Sequence, residues 1–145
     1  MQTITSRPFE LKKDINTIFG LVQNPSSLSP IIEKFHDRIP AKIAILKENQ
    51  ISVDTGAMGE IVMERSQVLA PNLVEYHSVK SPVPVKLSIN LTEHGADTTL
   101  GQISIQASVP AFLSGMIKSK AEPIMAELAN NLEKIDFDRL LGTSK

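Results

Sequence analysis

Between Pro110 and about Phe137, Leu113, Ile117, Ile124, Leu128 and Ile135 recur at offsets of four and seven. At about 100° per residue, this spacing puts them in one narrow stripe of a helix. Met116, Ala121 and Leu132 widen the stripe, while Ser119, Glu122, Glu127, Asn130 and Glu133 take the other side. The spacing predicts one long helix from about Ala111 to Ile135 whose apolar side must lie against a sheet. Pro123 predicts a bend around Ala121–Pro123, because proline removes a hydrogen bond and crowds the preceding turn. Leu128, beyond the proline, is expected in tightly packed core; around Ile117, the small residues Ser114 and Gly115 leave room.

The rest of the chain supplies that sheet. Gln2 to about Glu10 is rich in Thr and Ile and predicts a first strand, with Pro8 favouring a sheet edge. From Leu11 the period changes, and Leu11, Ile15, Ile18, Phe19 and Val22 mark a helical face that Asn24-Pro25 ends. A second short helix carries Leu28, Ile31, Ile32 and Phe35, with Ser27 or Ser29 available as its N-cap. Beyond Pro40, short runs separated by turn residues predict an antiparallel meander. Its strands are expected near 42–47, 50–54, 60–69, 73–79, 83–92 and 98–108. The last two alternate most clearly: Val85, Leu87, Ile89 and Leu91 on one strand and Ile103, Ile105 and Ala107 on the next define dry faces.

At 145 residues, the chain is expected to be one domain spanning 1–145, with a single core that buries roughly 70% of the unfolded surface. Its formal net charge is −1 with both signs interspersed, so the electrostatic footprint of a nucleic-acid binder is missing. The sequence has no cysteine, which removes disulfides, thiolate metal sites and cysteine nucleophiles. No apolar run approaches the ~18 residues of a membrane span, and the first residues lack a leader pattern. Neither membrane insertion nor nucleic-acid binding is expected, and the cytoplasm is the default location.

Motifs for chemistry are sparse. No HxH, HxxxH or HExxH spacing suggests a metal site, no GxSxG marks a hydrolase, and no phosphate or dinucleotide motif suggests a cofactor. Of the three histidines, His36 at a helix end and His94 in a hairpin turn are expected in solvent. His77 shares a strand face with Glu75, and a turn at Ala70-Pro71-Asn72 would place Arg65 and Gln67 opposite them. Facing inward, Arg65, Glu75 and His77 are the weak catalytic candidates of this chain; facing outward, they are a solvated ladder. Solvation is the favoured reading.

The order of elements is strand, two short helices, meander and long helix. Three stretches stand out within it: Gly59-Glu60-Ile61, Ser81-Pro82-Val83-Pro84-Val85-Lys86-Leu87, and Pro110-Ala111-Phe112-Leu113 opening the last helix. Together they resemble small single-domain bacterial members of the START-like (SRPBCC) superfamily, whose helix-grip fold is shared by polyketide cyclases, birch-pollen-allergen proteins and many lipid-transfer domains. Thr55-Gly56-Ala57-Met58-Gly59 echoes the glycine-rich loop of allergen-type members only faintly, and it reads as an ordinary turn. The resemblance implies an α+β fold: a curved antiparallel sheet of about seven strands wrapped around the C-terminal helix, with an apolar ligand between them. On that fold Leu113, Met116 and Ile117 would face Ile89 and Ile103 across the ligand space, with Phe19 and Phe35 closing one end. The leading expectation is binding of a small hydrophobic molecule such as a lipid or polyketide. The alternatives are a cyclase- or dehydratase-type enzyme using the same cavity, and a protein-interaction module with a filled core.

Overall fold

The computed structural model describes residues 2–35, 42–47, 49–54, 59–81 and 83–137. The chain opens with β1 (Gln2–Thr5) and β2 (Phe9–Leu11), both antiparallel to β8 (Thr99–Ala107). The expected first strand is therefore split in two. Pro8 has no N–H for the ladder, and Ser6 bridges the break: its N–H donates to Ile103 O at 2.8 Å, and its hydroxyl accepts from Ile103 N at 3.0 Å.

Leu11 belongs to β2, and α1 starts later than the periodicity suggests, at Ile15–Gln23. Asp14 sets that start by capping it, accepting from Thr17 N at 3.0 Å and from Thr17 Oγ1 at 2.7 Å. These bonds hold the Asp14 carboxyl below its usual pKa. A 3-10 turn at Pro25–Leu28 leads into α2 (Ser29–Phe35).

The meander follows as β3 (Lys42–Lys47), β4 (Gln50–Asp54), β5 (Glu60–Leu69), β6 (Leu73–Lys80), β7 (Val85–Glu93) and β8. These strands pair in the order β1-β8-β7-β6-β5-β4-β3, with β2 beside β1 on β8. Gly59, at φ 75°, turns the chain into β5 in a conformation that disfavours a side chain; residues 55–58 of the glycine-containing stretch lie outside the described residues.

One helix, α3 (Ala111–Glu133), continues through Pro123 and packs chiefly on β2 and β1. The core between helices and sheet centres on Ile4, Phe9, Ile18, Val74, Tyr76 and Ile135. The architecture is α+β, an antiparallel sheet against one long helix with two short helices inserted after the opening strands.

α3 differs from its sequence pattern in phase. Its buried residues are Ile117, Ala121, Met125, Ala129 and Asn131, and the first four run along a line turned on average by about 70° from the apolar stripe. Leu113, Ile124 and Leu128 from that stripe are only half-buried. The stripe borders a space, as do Ile117, Ala121 and Met125 on its buried flank, and Ala129 beyond them is fully buried.

Candidate functional site

The space beneath α3 is a cavity of about 430 Å³. Leu113, Met116, Ile117 and Ile124 of α3 form one wall; Ile51 and Val53 of β4, Ile61 and Met63 of β5, and Ile103 and Ile105 of β8 form the other. Alternation along each strand explains why these residues point the same way. Among the described residues Ser81 is the one polar residue on the lining, and its hydroxyl is turned back to Val83 O. Met116 lines the cavity and is 50% exposed, so it stands at the mouth. Phe112, one turn earlier, is 83% exposed.

A second cavity of about 170 Å³ lies under α1 and α2, among Leu21, Val22, Leu28, Ile31, Tyr76 and Ile89. Of the seven expected ligand contacts, Leu113, Met116 and Ile117 border the larger space, Ile89 the smaller, and Ile103 both. Phe19 is buried but borders neither. Phe35 ends α2, and its side chain lies outside the described residues, as does His36. Leu128, expected in filled core, borders both cavities. Sequence reasoning passed over Ile51 and Val53 of β4 and Ile61 of β5, whose short alternating runs carried the signal.

A bulge splits the polar cluster: Gln67 lies opposite Glu75 as expected, but Arg65 is taken out of it. In the expected register Arg65 would oppose His77, but the pairing slips between Arg65 and Gln67, so that Arg65 faces Tyr76 and Glu64 faces His77. Arg65 and Tyr76 both cap the C-terminal end of α1: the Arg65 guanidinium donates to Gln23 O, and the Tyr76 hydroxyl donates to Val22 O at 2.9 Å. α1 has no basic residue in its last turn, and Arg65 supplies that charge from another strand. Burial pushes the Tyr76 hydroxyl up to about 12, against a smaller opposing effect of Arg65.

Glu75 instead meets Ser88 Oγ at 3.3 Å and Lys86 Nζ at 3.5 Å, and His77 is exposed. None of Arg65, Glu75 and His77 borders either cavity. His94 is exposed and lies 4.0 Å from Glu10. Among the described residues, no three His, Asp or Glu side chains are grouped to hold a metal, and no helix is long and apolar enough to cross a membrane.

No protein-family model matches the sequence, and no curated protein matches it. Solved structures do match over nearly the whole chain. A START superfamily protein from Mycobacterium smegmatis aligns with a TM-score of 0.65 at 16% identity, covering 99% of this chain and 100% of that one. The fold is START-like. Norcoclaurine synthase from Thalictrum flavum, solved in complex with dopamine and hydroxybenzaldehyde, aligns at 0.70 and 12% identity, covering 99% of this chain and 88% of that one. XoxI from Bacillus cereus aligns at 0.60 and 13% identity, covering 92% and 97%. These likenesses concern the START-like scaffold, on which unrelated activities can be mounted.

Proposed function

We propose that this protein binds a small hydrophobic molecule of the lipid or polyketide kind in the space between α3 and the sheet, holding or carrying it without transforming it. The observation that carries this reading is the cavity of about 430 Å³, which falls within the ~300–1,000 Å³ range of small-molecule sites. The described residues of its lining offer apolar contact and no charge, so affinity would come from area removed from water, at ~25 cal/mol per Å². Norcoclaurine synthase, solved with dopamine and hydroxybenzaldehyde, supports a role in small-molecule binding for a scaffold of this shape. Met116, at the mouth, and Met63, on the wall, are flexible side chains suited to an adaptable lining. Cyclase- or dehydratase-type use of the cavity finds less support, because Arg65, Glu75 and His77 stand away from it.

Mass spectrometry of the protein purified under native conditions should find a co-purified apolar compound. A fluorescent fatty acid should bind the wild type, and Met116→Trp should weaken that binding at least several-fold while leaving the circular dichroism spectrum unchanged. Failure of every apolar probe to bind the wild type would defeat the proposal and favour an interaction module.

A further inference from the structure

The two cavities share a boundary. Ile43, Ile51, Leu87, Ile103 and Leu128 border both the space of about 430 Å³ beneath α3 and the space of about 170 Å³ beneath α1 and α2. Each of these side chains borders both spaces, so among the described residues the partition between them is aliphatic. Ile43, Leu87 and Leu128 are only half-buried, and each has open space on two sides. Close packing, which fixes rotamers elsewhere in a protein interior, is relaxed there.

The polar groups on the two linings are already engaged. Ser81 on the outer lining donates to Val83 O, and Tyr76 on the inner lining donates to Val22 O. A ligand hydroxyl or carbonyl carried through the partition would lose its water and meet only these engaged groups among the described lining side chains. Unsubstituted hydrocarbon meets no such penalty. A rigid fused ring needs the width of the outer space, whereas a flexible chain needs only a displaced rotamer to reach the inner one.

Building on the function proposed above, we propose that the two cavities are the outer and inner compartments of one site for a single long alkyl chain. The tail passes the partition and ends beneath α1 and α2; the polar end stays at the mouth beside Met116. The chain-length dependence of binding is then a property of the partition.

The test is displacement of a fluorescent fatty-acid probe by a homologous series of saturated fatty acids, from medium to long. While each added methylene enters dry space, affinity should rise about fourfold per step. Leu87→Phe and Ile43→Phe thicken the partition from two different strands, so loss of one variant to misfolding leaves the other. In both, the rise should stop at a shorter chain than in wild type, whatever the absolute affinity. On wild-type protein, a fatty acid carrying a photoreactive diazirine at its tail should label Leu28–Ile32. Equal stopping points in wild type and variants, or labelling confined to the first half of α3, would overturn the proposal. Binding of a compact polycyclic probe but of no fatty acid would overturn it while sparing the proposed function, and binding of nothing apolar would overturn both.

Discussion

An alanine at position 101 would place its Cβ 2.6 Å from Cε1 of Phe9, which is 2% exposed, so the buried ring would have to shift. Gly101→Ala should therefore cost about 1–3 kcal/mol, the usual penalty for overpacking a core, in a urea melt. Gly115→Ala is the control: nothing lies within 4 Å of the added methyl, and the position is helical. That change should be neutral or stabilise by up to about 1 kcal/mol through the unfolded chain. Arg7 and Glu133 make a second residue-level case. The Arg7 guanidinium grips both Glu133 oxygens at 2.9 Å, and the Glu10 N–H adds a bond at 3.0 Å. These partners lower the Glu133 carboxyl from 4.5 to about 2. Because the folded value lies below the unfolded one, the stabilisation is fully present above about pH 4.5 and is lost as pH falls through about 2. The stability gap between wild type and Glu133→Gln, followed by urea melts across this window, should shrink steadily with acidification. An equal gap at both ends would refute the pairing.

Elements were more legible than their junctions. Apolar and polar alternation in β7 and β8 rules out a one-residue slip and keeps Leu87, Ile89, Ile103 and Ile105 on one face, and the short turn after Glu93 sets their pairing. The bulge in β5 does not follow from it: Arg65, Ser66 and Gln67 are all polar, and no apolar residue there betrays which one is extra. That single slip sent Arg65 to the end of α1 and away from Glu75 and His77. In α3 the stripe was legible, but its meaning was not, since large apolar residues mark a wish to leave water and not whether a space is filled. The distinction is measurable. Ile135 is 2% exposed and borders neither cavity, so Ile135→Ala should cost about 2–5 kcal/mol. Ile117 borders the larger space, so Ile117→Ala enlarges an existing void, loses fewer contacts and should cost clearly less. Comparable losses at the two positions would mean the space beneath α3 is closed in solution.

At the scale of the molecule, the order of elements was enough to suggest the START-like scaffold, while nothing in it specified an occupant, because an apolar lining records only an aversion to water. A different property of the whole follows from how α3 is fastened. Arg7 holds Asn130 and Glu133 near its C-terminal end, at 2.8 and 2.9 Å. Among the described residues, no side-chain hydrogen bond or ion pair joins its first half to the sheet, and Pro123 leaves the carbonyl of Ser119 without its helical N–H partner. The amide protons of α3 should accordingly exchange with heavy water on a gradient. Those around Ala129 should be protected to nearly the global unfolding free energy, while those from about Leu113 to Ser119 should be released by far smaller local openings. The half of the helix that roofs the cavity would then rise and settle many times for each unfolding of the chain, and a bound hydrocarbon would slow its amides selectively.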